Sequence, residues 1–298
     1  MGAQQEEEDM GGQEGGGEEE NVDAVTAVEG DAAAVPPPPP AFEDAEFEEI
    51  EGILGYQFED RTLVVEALTH NSFYLWRKPG EVGGLSYERL EFVGDAVLNC
   101  VVARELHASY LDLPPGPLTR LRAANVDTEK LARVAVGSHL HRFLRHNISN
   151  LDGQIEDFAQ AMLDYPIHSN GLIDAPKVLA DIVESLLGAI FVDSRSNLET
   201  VWKVYKRLSA PMISPKTLGR HPVSELLELC QKRGLSLRFL KDTWSENTTV
   251  GVMVDGKLVG CAAYGQKKEI AQNRAAKAAL DYLKLVVDGG DSAGAPGL

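Results

Sequence analysis

From about residue 45 to about residue 207, apolar residues recur at intervals of three and four, the spacing of helices that bury one face. The pattern is clearest at Leu63, Val64, Ala67 and Leu68; at Leu90, Val93, Val97 and Val101; at Leu131, Val134 and Ala135; and at Val178, Ile182, Leu186 and Ile190. Breaks fall between these runs at residues 113–117 (Leu-Pro-Pro-Gly-Pro), at residues 164–166, and at Pro176. Pro176 suits the first turn of a helix, where the N–H that proline lacks would have no partner. No stretch of this region alternates as a strand does. After residues 209–215, which read as a linker, the texture changes. Residues 222–233 are helical in pattern. Residues 237–240, 248–254 and 258–264 alternate with period two, with Asp255-Gly256 as a hairpin turn between the last two. Residues 269–283 form an Ala-rich helix. The predicted fold is mostly α: an all-helical domain over 46–207, a linker over 208–220 and an α-β-β-β-α module over 221–286.

The chain ends lack this periodicity. Residues 1–45 are mainly Glu, Gly and Ala, with five prolines from Pro36 to Pro40. Such a stretch buries too little apolar surface to offset the entropy of ordering, so it is predicted to be disordered, ending in a stiff polyproline spacer. A second disordered tail is predicted over 287–298. The net charge of −18 belongs mostly to the first tail, because residues 1–50 hold 16 acids and no Lys or Arg. The other 248 residues carry 28 basic against 30 acidic side chains, a balance of −2. Residues 221–285, with 10 basic against 7 acidic, are net positive and a natural seat for a polyanion. Cys100, Cys230 and Cys261 make neither a metal-ligand spacing nor an even disulfide set, which points to a reducing compartment. No apolar run approaches the ~20 residues of a membrane span, and no secretory or transit signal is evident. The expected location is the nucleus, the cytoplasm or both.

Chemistry enters through four acids. Glu91 and Asp95 are four apart in residues 90–98, and Asp181 and Glu184 three apart in residues 178–191; both runs are otherwise strongly apolar. Each spacing puts its pair on one helix face. A buried carboxylate needs a proton, a partner or a metal. With no His or Cys beside them, oxygen ligands alone select a hard cation, Mg²⁺ or Mn²⁺, as used in phosphodiester hydrolysis. Gly94 and Gly188 lie inside these helices, where Gly costs ~1 kcal/mol against Ala. That suggests a close approach of the helices. Solvated acidic faces on a helical partner-binding protein are the plain alternative.

Residues 87–98 (Tyr-Glu-Arg-Leu-Glu-Phe-Val-Gly-Asp-Ala-Val-Leu) resemble the signature of the ribonuclease III family. So do residues 67–72 upstream and 118–126 downstream, and residues 175–185 are similar to its Dicer-type branch. The resemblance implies a helical endonuclease that cuts double-stranded RNA with Mg²⁺ or Mn²⁺ and leaves 5′-phosphate and 3′-hydroxyl ends with short 3′ overhangs. It makes Glu91, Asp95, Asp181 and Glu184 the metal-binding acids, with Asp95 and Glu184 foremost in the chemistry. Lys177 would give the scissile phosphate a point charge. Glu88 reads as a helix-start acid with Ser86 as N-cap, and His70 as a packed, hydrogen-bonded residue rather than a base. The segment 150–174 differs from bacterial members and is closer to plant ribonuclease III-like and Dicer proteins. One acidic site per chain implies a homodimer through the catalytic domain to cut both strands.

The C-terminal module resembles a double-stranded RNA-binding domain. Pro222, Leu226, Glu228 and Gln231 match its first helix, and Ala271, Ala275 and Ala276 the packed face of its second. The resemblance implies that Glu228 and Gln231 reach a minor groove and that Lys267, Lys268 and Arg274 meet phosphates. Glu269 and Gln272 stand where Lys is usual, and residues 242–247 lack the usual Gly-Pro-x-His element, so weak RNA affinity is expected of this module alone. Cys230 and Cys261 read as packing residues. A non-catalytic RNA-binding scaffold would share the module, but the presence of all four acids argues against it.

Overall fold

The computed structural model describes residues 42–74, 85–242 and 244–290. Most of the two tails expected at 1–45 and 287–298 lies outside these residues. The ordered body nevertheless begins earlier than the sequence suggested. Phe42 is buried against Phe47 and Phe143, and the Arg145 guanidinium lies 4.0 Å over its ring. Helix α1 (Asp44–Leu54) follows directly, opened by a reciprocal capping box between Glu43 and Glu46.

The first core is helical throughout, as the three- and four-residue spacing requires. Helices α2 (Thr62–Ala67), α3 (Glu88–Ser109), α4 (Pro115–Val126), α5 (Thr128–Gly137), α6 (Leu151–Met162), α7 (Lys177–Asp193) and α8 (Leu198–Leu208) complete it. Helix α7 is apolar on nearly every side and lies at the centre, packed against α2, α3, α5 and α8. An all-round apolar helix is stable only when others cover it. Pro176 stands at its N-cap, one residue before the helical turn in which it was expected.

The α3–α7 contact is set by two glycines. A methyl at Gly94 would lie 1.8 Å from the Glu184 carbonyl oxygen, and one at Gly188 would lie 2.1 Å from the Leu90 carbonyl oxygen. The two backbones therefore touch directly, and no side chain larger than hydrogen fits at either point.

The segment expected to be a linker is packed against α4 and α5. Asn125 receives the Ile213 N–H at 2.8 Å and donates to the Ile213 carbonyl at 2.9 Å, while Lys130 Nζ donates to the carbonyls of Ser209 and Pro211. Ile213 is buried. Buried polar groups in α4 and α5 need partners, and this strand of chain supplies them.

Beyond it lies α9 (Pro222–Arg233), β1 (Leu237–Leu240), the single turn α10 (Trp244–Asn247), β2 (Thr249–Val254), β3 (Lys257–Ala263) and α11 (Lys268–Gly290). The strands pair antiparallel in the order β1-β2-β3, with Asp255 and Gly256 both at positive φ, as a two-residue hairpin demands. Leu226, Cys230, Val250, Val252, Val254 and the alanines of α11 form a second core. Three sequence expectations shift here. Helix α11 starts one residue early and runs past residue 286, part of residues 242–247 is helical, and Cys261 is exposed because it sits on the outer face of β3. Among the described residues no helix is long and apolar enough to cross a membrane.

The glycine contact yields a prediction of opposite signs. Gly94→Ala or Gly188→Ala forces backbone against backbone and should cost roughly 1–3 kcal/mol. Gly52→Ala, in α1 with nothing within 4 Å of the added methyl, should stabilise by up to ~1 kcal/mol. Urea unfolding of the three variants checks this; equal effects would remove the role given to the contact.

Candidate metal centre and RNA-binding surface

Because α3 and α7 touch at Gly94 and Gly188, the acids one turn earlier on each helix face each other. Carboxylate oxygens of Glu91, Asp181 and Glu184 lie within 4.8 Å of one another. Asp181, 5% exposed, is held at both oxygens. Lys177 Nζ donates to Asp181 Oδ1 at 2.5 Å and to Glu91 Oε1 at 2.9 Å, and the Tyr87 hydroxyl donates to Asp181 Oδ2 at 3.0 Å. The cluster opens on a cleft of about 450 Å³ that Glu88, Phe92, Asp95, Asp127 and Thr128 also line.

The electrostatics of this cluster are in conflict. Burial pushes the Glu184 carboxyl up to about 8, and the charges of Asp95, Asp181 and Glu91 push in the same direction. Burial also raises Glu91, against the pull of Lys177. Burial would lower the Lys177 ammonium, but its bonds to Asp181 and Glu91 outweigh that and hold it above its ordinary value. Close carboxylates with one lysine among them are undercompensated, and an all-oxygen donor set fits Mg²⁺ or Mn²⁺.

Three of the four expected ligands thus converge. Asp95 lines the same cleft, but its Oδ1 accepts from Asn99 Nδ2 at 2.8 Å and lies outside the three-oxygen cluster. Ser86 does not cap α3; its hydroxyl bonds the Glu88 carboxylate, and Tyr87 stands at the N-cap with no side-chain cap bond. His70 is packed as expected: Nδ1 meets the Ser72 hydroxyl at 2.7 Å, the ring lies 5.5 Å from Tyr87, and burial lowers its pKa. The sequence reading passed over Tyr87 in the site. Its signals were its place at the head of the signature run 87–98 and its spacing of four residues from Glu91.

In the module, Glu228, Gln231 and Lys268 are exposed, with Glu228 3.6 Å from Arg220. Lys267 and Arg274 each have a partner within the chain. Lys267 Nζ donates to Asp174 at 2.5 Å, and Arg274 Nε donates to the Leu172 carbonyl at 2.9 Å.

The raised Glu184 carboxyl gives a pH prediction. Its folded-state value, about 8, lies above the ordinary 4.5, so the folded chain holds the extra proton between the two. The stability it contributes is full below about 4.5 and is lost as pH rises through about 8. In EDTA, the Tm should fall from pH 6 to pH 9, and Glu184→Gln should flatten that fall. The Tm gained on adding Mn²⁺ should grow over the same range, since the cation displaces the proton. Thermal melts with and without Mn²⁺ test this; a Tm insensitive to Mn²⁺ at pH 8 would count against a cation site.

Comparison with known proteins agrees with this geometry. The Ribonuclease III domain family matches residues 88–195, and the double-stranded RNA binding motif matches residues 222–283. Ribonuclease 3-like protein 3 of Oryza sativa subsp. japonica is 62% identical over 239 residues, covering 80% of this chain and 79% of that protein. Ribonuclease 3-like protein 2 of the same plant is 42% identical over 243 residues, covering 78% and 74%. Endoribonuclease Dicer homolog 1 of Oryza sativa subsp. japonica is 47% identical over 244 residues; that covers 80% of this chain but only 13% of that much longer protein. With a 62% identity that extends over most of both chains, this chain belongs to the ribonuclease III family, as an endoribonuclease that carries a double-stranded RNA-binding module behind its nuclease domain.

Proposed function

We propose that the protein hydrolyses phosphodiester bonds of double-stranded RNA with Mg²⁺ or Mn²⁺, leaving 5′-phosphate and 3′-hydroxyl ends with short 3′ overhangs. The setting proposed is the processing of ribosomal or small-RNA precursors in a plant nucleus or cytoplasm. The observation that carries this reading is the meeting of the Glu91, Asp181 and Glu184 oxygens in one cleft, inside a ribonuclease III domain. Those three acids, with Asp95 at the rim, would hold the cation. A divalent cation so held supplies Lewis acidity and a nucleophile at neutral pH. The chain's own residues do the rest. Tyr87 and Lys177 fix the Asp181 carboxylate in one orientation. Lys177 also turns a largely exposed ammonium to the cleft, where it offsets the acids that would otherwise repel a phosphate. Glu228, Gln231 and Lys268 give the module an exposed polar edge for A-form RNA.

A homodimer belongs to the same proposal, since one acid cluster serves one strand. Phe92 supports it. This side chain follows Glu91 directly, lines the acid cleft and is 79% exposed. A second copy packed over the cleft would cover this ring and remove its apolar surface from water.

Purified protein should cut long duplex RNA with Mg²⁺, and EDTA should stop it. Glu184→Gln should lose at least ~100-fold in rate while still binding the duplex, and Tyr87→Phe, an outer partner of a ligand, should lose about 10–100-fold in metal affinity. Wild-type-like cleavage by Glu184→Gln would refute the assignment. Separately, analytical ultracentrifugation should show a dimer that Phe92→Glu converts to a monomer, and circular dichroism should show that monomer still folded, because the ring is solvent-exposed in the single chain. A monomeric wild type would end the dimer reading.

A further inference from the structure

Two cations that the sequence assigns to RNA, Lys267 and Arg274, are engaged by the nuclease domain. The partner is the segment between α6 and α7. Asp174, its side chain 13% exposed, accepts from Lys267 Nζ at 2.5 Å and from the Tyr264 hydroxyl at 3.2 Å. The Gly171 carbonyl accepts from Asn273 Nδ2 at 2.8 Å, and the Leu172 carbonyl from Arg274 Nε at 2.9 Å. The Arg274 guanidinium also lies 4.6 Å over the Tyr264 ring. Ile270 and Asn273 are 7% and 8% exposed. They lie on the side of α11 turned away from the alanines that face the sheet, so it is this contact that buries them.

The segment that receives them is itself built to stay in place. Ser169 donates its backbone N–H and its hydroxyl to Glu129 of α5, at 2.7 and 2.5 Å, and Arg133 holds Glu129 from the other side at 2.7 Å. His168 Nε2 meets Asp127 at 3.0 Å, and the backbone N–H groups of Leu172 and Ile173 both bond the Ser169 hydroxyl. Three residues after Asp174, the chain reaches Lys177 in the acid cluster. A cleft of about 620 Å³ runs between the two bodies, with Lys177 and Asp127 on one wall and Lys267 and Asn273 on the other.

We propose that residues 168–174 are a docking surface for the RNA-binding module of the same chain, and that Lys267 and Arg274 latch the module to it instead of contacting phosphate. A phosphate approaching Lys267 would meet the Asp174 carboxylate already bound there, and the repulsion favours the latch. The module and the acid cluster then meet a duplex as one surface, so the distance from the gripped groove to the cut bond is set by the latch.

A charge swap tests this on the full chain. Asp174→Lys and Lys267→Asp each break the pair, and the double variant restores it with the charges exchanged. In small-angle scattering each single variant should show a larger radius of gyration than the wild type, and the double variant should return to the wild-type value. Protease cleavage within residues 214–220 should speed up several-fold in the singles and not in the double. Tyr264→Phe, which removes one hydrogen bond and no charge, should lie between. These readouts need no RNA cleavage, so their failure is distinct from failure of the proposed reaction. The proposal is overturned if all five proteins give the same scattering and protection. It is overturned equally if Lys267→Asp weakens duplex binding with a salt slope lower by about 1, as loss of one phosphate contact would, and Asp174→Lys does not restore it.

Discussion

The direct backbone contact of α3 and α7 is the constraint on which the rest depends. Without side chains at Gly94 and Gly188, the helices approach until the methyl of an alanine would strike the Glu184 or Leu90 carbonyl. The first of these carbonyls belongs to the acid that the cluster buries most unfavourably, so core packing and candidate chemistry share a residue. Helix α7 can then lie at the centre of the domain with apolar neighbours around it. Its acids Asp181 and Glu184 line the cleft shared with α3. Dense interiors transmit small displacements, and here a displacement of the helices is a displacement of the carboxylates.

Local consistency breaks at one place. Nearly every position of α7 from Val178 to Ile190 obeys the rule of apolar side chains inside, and Asp181 and Glu184 do not. The two violations are treated differently. Asp181 has Tyr87 and Lys177 at its oxygens, so its charge is compensated within the chain. Glu184 has only like charges for neighbours, apart from Lys177 at longer reach, and its carboxyl rises to about 8. Violations of this kind concentrate where a protein does chemistry, because stability alone would replace the acid with an apolar residue.

Much of this was legible in the sequence, for identifiable reasons. The strands at residues 237–240, 249–254 and 257–263 fall within a residue of their expected places, because period-two alternation and the Asp255-Gly256 turn are both local signals. The glycines in two helices predicted a close approach, since only packing explains the helix propensity they forfeit. The packing of the linker was not legible, because its short, proline-containing stretch has no periodicity. Its order comes from Asn125 and Lys130, buried polar groups some 80 residues away that need its carbonyls. Phe42 was assigned to the tail for a similar reason: its burial depends on Phe143 and Arg145.

The sequence by itself determined the helices, the module and the helix faces on which the acids lie, because each follows from spacing along a few turns of chain. It also placed the chain in its family. Only the tertiary structure decided which charges meet. Asp95 lies on the acid face of α3, yet its carboxylate turns to Asn99 instead of the cluster. Lys267 and Arg274 stand where an RNA-binding module keeps cations, yet they bind Asp174 and the Leu172 carbonyl. A flexible, partly exposed charged side chain takes whatever partner packing brings within reach, and that partner can lie a hundred residues away with no trace in the local pattern.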